Sequence, residues 1–505
     1  MVFLTAYFGK IRRHFVMRRH FTEGKMESTN ETFGVLRKDA VGLLGIVFFV
    51  IATNGPLTAL VGLVPSSIAL GNGVGVPGAF LIMGFIYLLF SVGFVAMGRY
   101  VKSSGAFYAY VSNGLGRPAG VATAFLVIVS YNTMEIGAYA VFGFFVSQSL
   151  AQWLNINVAW WLIGLLAVLA VQCFGTRNIE FNGKVLGFLM LAEMAIIAVF
   201  DVGVIAHGGG PAGFDLQSFA PSHVFVKGLG PTLVFVVTAF MGFETTAIYA
   251  EEARKPERNI PLATYIAVFI ILAFFAVSSW LLITSYGPQN VVDAATKDPG
   301  NVWFSMATLV VGRWAADVMS ILLITSLFAV LLSFHNAISR YFFSMGREGI
   351  MWAALAQIHP DQQTPHIASK VQTVYCSAAL LLFGYLQLDA MGVVVPLTVA
   401  PAAIGIVAVQ CLTSLAVIGF FAGSPRQTNR WQRVIAPLLS FAGLGWVLYL
   451  IVDNMALLTG SETIANRLIP LGMLGTAVFG VLFALWIRKS RPSLYQNLAR
   501  ILSEA

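Results

Sequence analysis

The chain has 505 residues, of which 58% are hydrophobic and only 10% charged. Soluble domains carry about 25% charged residues, so a water-soluble enzyme or binding module is excluded and a polytopic membrane protein is indicated. The formal net charge of +8 therefore reads as a topology signal and says nothing about nucleic acid.

A helical crossing needs about 20 apolar residues. The hydrophobic runs predict twelve spans, near 40–65, 76–98, 119–150, 156–174, 184–206, 228–250, 261–284, 309–341, 370–387, 392–421, 433–453 and 467–487. The third and eighth are long enough to tilt steeply, and the ninth and tenth divide around Leu388–Gly392. Across the loops, one face carries only Lys227, Lys297, Arg313 and Arg467 of the chain's 30 lysines and arginines. By the positive-inside rule the other face, which holds both termini, is cytoplasmic. The expected organisation is a cytoplasmic N-terminal segment 1–38, a ten-helix transport core 39–421, two peripheral helices 422–487 and a cytoplasmic tail 488–505.

Residues 1–25 are basic and aromatic but lack the apolar core and cleavage site of a signal peptide. They read either as a basic amphipathic helix on the anionic inner surface or as a stretch preceding a true start at Met26.

Span one, GIVFFVIATNGPLT, places Thr53, Asn54, Gly55 and Pro56 at the depth of the bilayer midplane. Backbone groups freed there cost several kcal/mol unless they line a cavity or pack on protein, and transporters build substrate sites from such broken helices. Pro56 suits the first turn of a second half-helix. Free N–H groups around Asn54, Gly55 and Leu57 would then face a carboxylate at a positive helix end. Carbonyls near Ile51 and Ala52, with those near Phe240 and Met241 in span six, would suit an ammonium. Span five holds Glu193 about mid-span, and span three holds Glu135 in YNTME. Span six, TAFMGFETTAIYAEE, shows a second interruption at Met241, Gly242 and Phe243, followed by Glu244. Five spans separate the two breaks, so the two helices cross in opposite directions. That is the spacing of a five-plus-five inverted repeat whose first helices are discontinuous.

The expected substrate-binding set is Ala52, Thr53, Asn54, Gly55, Phe240, Met241, Gly242 and Phe243, with Phe240 and Phe243 either closing over the substrate or simply packing. The expected coupling and gating groups are Glu244, Glu193 and Glu135, because a carboxylate inside a span needs a reason. To these are added Thr325 and Ser326 of span eight, whose hydroxyls could join span-one carbonyls around sodium or serve only as interhelical hydrogen bonders. The loops Ala206–Lys227 and Tyr286–Trp303 read as caps over the external mouth. Cys173, Cys376 and Cys411 all fall in hydrophobic segments and read as buried packing thiols.

The segments GRYVKSSGAFYAYVSNGLGRPAG (98–120), EEARKPERNIPLA (251–263) and NAISRYFFSMGREGIMWAALAQIHP (336–360) are the most specific text in the chain. Gly105, Phe107 and Tyr108, then Glu251, Pro256, Arg258, Ile260 and Pro261, then Asn336, Ser339, Arg340, Arg347 and Gly349 carry the pattern. With these motifs the chain resembles the amino acid–polyamine–organocation permease family from about residue 33 to 490. The resemblance implies the five-plus-five fold and secondary active transport of amino acids or related amines. Many members carry a lysine within span five in place of a coupling sodium. Here that region has Glu193, and Lys184 lies at its edge, which sets this chain apart from lysine-based coupling. Span one also departs from the family's Gly-rich break.

The resulting expectation is an all-α permease moving amino acids across the cell membrane by alternating access, coupled to protons or sodium or working by exchange. A polyamine or organic-amine permease of the same fold is the alternative, which would want several carboxylates around the cavity. No clustered metal ligands, nucleophile motif or cofactor fingerprint supports a membrane enzyme, so no metal or cofactor is expected. Paired breaks argue against a continuous channel.

Overall fold

Span one of the computed structural model begins where Val41 pairs in parallel with Ala253 and its carbonyl accepts from the Arg254 N–H (2.8 Å). The structure describes residues 41–101, 105–175, 179–211, 213–248, 253–360, 362, 364–423, 428–459 and 464–499, the side chains of 179–186 and 459 excepted. The expectations for 1–38, for Lys184 and Glu251, and for the last residues of the tail lie outside the described residues.

Among the described residues, eleven helices are long and apolar enough to cross a membrane: Leu43–Leu70, Gly73–Gly98, Arg117–Leu154, Gly187–Ala206, Leu229–Ala247, Pro256–Tyr286, Arg313–Arg347, His366–Tyr385, Ala390–Ala422, Trp431–Asp453 and Ala465–Ser490. The shorter apolar helix Trp160–Gly175 completes the expected twelve. It occupies the fourth position and starts four residues later than its expected 156–174, because 155–159 run on as non-helical chain. The ninth and tenth spans divide between Tyr385 and Ala390, as the sequence indicated. Two spans are interrupted. In span one, Leu43–Asn54 is followed by a π-helical stretch, Thr58–Leu63, before Val64–Leu70. Pro65 lacks the N–H that would close the next regular turn, which accounts for the widened helix ahead of it. In span six, Leu229–Phe240 and Thr245–Ile248 are separated by turn residues 241–244.

Helix packing follows the exchange of each span with the one five places along. Span three packs on span ten and span eight on span five; span two lies against span seven, and span four against span nine. The first half of span six contacts the second half of span one, while its second half contacts the first half of span one. These two breaks therefore run antiparallel, and the fold is the five-plus-five inverted repeat. Span eleven packs on spans two and ten, and span twelve on span three. Span twelve leaves Leu468, Leu471, Leu474, Phe479 and Leu482 exposed, the apolar surface that lipid covers. Cys376 and Cys411 are buried, but Cys173 is exposed on the same kind of surface, contrary to the packing role expected of it.

On the face opposite the start of span one, Pro288–Lys297 packs against Val64–Leu70 and covers its end. On the other face the helix Ala106–Leu115 fits against span ten so closely that a side chain at Gly114 would collide with the Ala416 backbone.

Candidate functional site

The first half of span one stops at Asn54 because Gly55 turns left-handed (φ 54°), folding its N–H back to the carbonyls of Ile51 (3.0 Å) and Ala52 (3.2 Å). A β-carbon at Gly55 would strike Val330 of span eight, so both conformation and space call for glycine. In span six, Phe240 ends the helix, Met241 is extended, and Gly242 takes φ 113°. Thr245 then starts the second half, its N–H accepted by the Gly242 carbonyl (3.0 Å).

Asn54 joins the two breaks. Its Nδ2 donates to the carbonyls of Ala239 (2.8 Å) and Met241 (3.1 Å), at the end of the half-helix where carbonyls lack partners within the helix. Its Oδ1 is buried with no hydrogen-bond partner. Gly242 lies against Thr53, whose own hydroxyl donates to the Phe49 carbonyl (2.7 Å). All residues from Ala52 to Thr58 and from Phe240 to Thr246 are buried, so this conformation is closed around the breaks.

Three spans brace the junction through hydrogen bonds, and span two packs on it. Glu244 accepts from the Tyr131 hydroxyl of span three (2.5 Å) and from the Gly242 N–H (3.0 Å). Glu193 of span five lies 3.5 Å from the Leu57 N–H. Ser326 of span eight accepts the Thr58 N–H (3.3 Å) and shares a hydrogen bond with the Thr58 hydroxyl (3.1 Å). Its neighbour Thr325 is half-buried and donates to the Leu322 carbonyl of its own helix (2.8 Å), so only Ser326 of the pair reaches span one. Phe240 packs on Phe80 and Tyr87 of span two, and Phe243 on Tyr87 and Phe90, with ring centroids 4.9–6.3 Å apart. Glu135 stands apart from the breaks, bonded to Gln372 of span nine.

The N–H groups expected to face the gap are disposed otherwise. That of Asn54 lies within its helix, that of Gly55 turns back, and that of Leu57 meets Glu193. Sequence reasoning also missed Tyr131 as the partner of Glu244, and His335 and Gln372 as the partners of Glu135. For His335 a signal existed, since an ionisable side chain inside a span asks for an explanation. A cavity of about 390 Å³ opens elsewhere, among Gln148, Trp153, Asp298, Asn301, Arg313 and Asp317, and none of the break residues lines it.

The family model for amino acid permeases matches residues 45–478, nearly the whole described chain. The chain belongs to the amino acid permease family. This permease is 24% identical over 452 residues to the aromatic amino acid transport protein AroP of Escherichia coli strain K12, covering 86% of the chain and 93% of that protein. It is 24% identical over 379 residues to the human large neutral amino acids transporter small subunit 2, covering 71% of the chain and 68% of that protein. A vacuolar cationic amino acid transporter 4 of Arabidopsis thaliana is 28% identical over 227 residues, which cover 43% of the chain and 35% of the plant protein. The family and these relatives are transporters, so this permease is a membrane carrier and not an enzyme.

Proposed function

We propose that this permease is a secondary active transporter that moves α-amino acids across the cell membrane by alternating access, holding the substrate at the paired breaks. The observation that carries this reading is Asn54, which bonds two span-six carbonyls while its buried Oδ1 has no partner. An unpaired buried acceptor beside helix-end carbonyls is a place for an ammonium group. The Leu57 and Thr58 N–H groups begin the second half-helix and lie at its positive end. They accommodate the carboxylate once Glu193 and Ser326 release them.

The backbone thus reads what all α-amino acids share. That agrees with relatives named for aromatic, cationic and large neutral substrates. A polyamine would need several free carboxylates at the junction, whereas both oxygens of Glu244 are engaged by Tyr131 and Gly242 and Glu193, against the Leu57 N–H, is the one other carboxylate beside the breaks among the described residues. Residues 39–421 form the transport core, and the face bearing the start of span one is cytoplasmic, as the lysine and arginine distribution supports.

The test is uptake of labelled amino acids into proteoliposomes holding the purified protein, with and without a pH gradient. Saturable uptake of at least one α-amino acid is expected. Failure with every α-amino acid, alongside saturable polyamine flux, would overturn the reading.

A further inference from the structure

One further group of buried and half-buried polar side chains ties spans together without touching either break. Glu135, midway along span three and fully enclosed, accepts from Gln372 Nε2 of span nine through Oε2. Its other oxygen, Oε1, lies 3.6 Å from Nδ1 of His335 in span eight, also buried. On the far side of the ring, His335 Nε2 is 2.8 Å from the Ser369 hydroxyl. Ser369 donates to Gln172 Oε1 of span four (2.8 Å), and Thr373 donates to the same oxygen (2.5 Å).

A hydroxyl has one proton to give. With that of Ser369 committed to Gln172, the bond at Nε2 is donated by the imidazole. Neutral His335 then turns a bare Nδ1 toward a bare Glu135 Oε1, and neither atom has a hydrogen-bond partner. Two acceptors facing each other in a dry interior repel. One proton between them lets whichever atom holds it donate to the other. Were the Gln172 amide turned over, Ser369 would donate to Nε2 and the imidazole proton would already occupy the gap. Only the first arrangement leaves the gap open to a transferable proton; in the second the neutral imidazole's own proton fills it.

The other ionisable groups facing Glu135 are Tyr139 on its own helix and Cys376 on span nine. Span four contributes the amide of Gln172, and span ten brings Thr398 and Val399 against the neighbouring Gly137. Arg340, further along span eight, reaches back to the Asn336 carbonyl (3.4 Å).

We propose that Glu135 and His335 together form the proton-binding site that couples ion movement to transport. One proton occupies the gap between Oε1 and Nδ1 in this closed arrangement and leaves when spans three and eight separate. The proton enters from water on one side and is released to water on the other. Its link to the substrate runs along the same two helices. Tyr131, one turn from Glu135, holds Glu244 beside the span-six break. The Tyr131 ring packs edge-on against Phe334, the neighbour of His335 (5.5 Å). Span eight also carries Ser326, which holds Thr58 beyond the span-one break. Losing the proton sets acceptor against acceptor and drives apart the two helices that brace both breaks.

The inference rests on the transporter reading, and the experiment separates the two. Purified wild type, E135Q and H335Q are reconstituted with a trapped pH dye, and amino acid counterflow and gradient-driven accumulation are both measured. Each pH unit is a tenfold ratio of proton activity. Wild type should therefore accumulate substrate roughly tenfold under a one-unit gradient, with proton entry alongside. E135Q and H335Q should show measurable counterflow but an accumulation ratio near one and a flattened pH profile. Accumulation by either variant at the wild-type ratio and pH profile would overturn the proposal. So would wild-type accumulation without proton entry, a result that needs no variant to fold. Absence of wild-type counterflow would instead refute the transporter reading beneath it.

Discussion

Asn54→Ala removes the joint between the two broken helices, and its cost follows from the partners. The Ala239 and Met241 carbonyls lose donors at 2.8 and 3.1 Å and stay buried. A buried acceptor left dry costs about 1–3 kcal/mol, so two cost about 2–6. Deleting the unpartnered Oδ1 returns about 1–3 of that, for a net loss near 2 kcal/mol. Function should suffer by a comparable amount, because a hydrogen bond to a charged group contributes about 1.5–3 kcal/mol, or roughly 10- to 150-fold in affinity. Asn54→Asp separates the two roles. It keeps an acceptor for an ammonium group but turns a second oxygen on the two carbonyls, so its stability should fall further while its KM rises less. Unfolding of the purified variants in mixed micelles measures the first quantity, and the KM for uptake into proteoliposomes the second. If Asn54→Ala unfolds with the wild type and transports with an unchanged KM, Asn54 neither holds the breaks together nor touches substrate.

Gly242→Ala should destabilise by about 2–5 kcal/mol, combining a disallowed backbone conformation with overpacking. Its β-carbon would stand 2.6 Å from Thr53 Cγ2. Thr53→Ser removes that methyl, so the double variant should recover part of the loss in a thermal-unfolding cycle, and strict additivity would refute the contact. Glu348, just beyond span eight, accepts from the Ala499 N–H (2.8 Å) and the Tyr108 hydroxyl (3.1 Å). Burial raises its pKa above the ordinary carboxyl value, a rise that those hydrogen bonds and the nearby Arg347 and Arg117 only partly offset. A carboxyl with a raised folded-state pKa binds more protons folded than unfolded. Its contribution is present below the ordinary value and is lost as pH climbs through the raised one. Protection of Tyr495–Ala499 from hydrogen exchange should therefore weaken with rising pH in the wild type and stay flat in Glu348→Gln. An equal pH response in both would refute the assignment.

Much of the fold was legible because span length, loop charge and interruption are local properties of a chain in lipid. Gly55 with Pro56, and Gly242 between two apolar runs, announce their breaks without any tertiary knowledge. What stayed hidden was rotation about each helix axis, which span-scale hydropathy does not record when most faces are apolar. Thr325 and Ser326 are neighbours of like chemistry, and only packing against span one shows that Ser326 reaches Thr58. Cys173 sits in an apolar run like the other two thiols, yet its face meets lipid. The partners of Glu135 escaped because His335 and Gln372 lie 200 and 237 residues away along the chain. Backbone accounting misled at the span-one break: Asn54 keeps its N–H within its helix, a left-handed Gly55 satisfies its own within the turn, and Leu57 gives its N–H to Glu193.

The third span runs unbroken for 38 residues and the eighth for 35. At 1.5 Å per residue these are rods of about 50–60 Å, close to twice the thickness of the hydrocarbon core. A rod of that length is a lever. Pivoting about its middle by about 10° sweeps each tip some 5 Å, nearly a full helical pitch, while a side chain near the fulcrum shifts by a fraction of that. Tyr131 and Glu135 sit close to that fulcrum on the third helix, where an ångström of adjustment in a hydrogen bond corresponds to a doorway's width at the membrane surface.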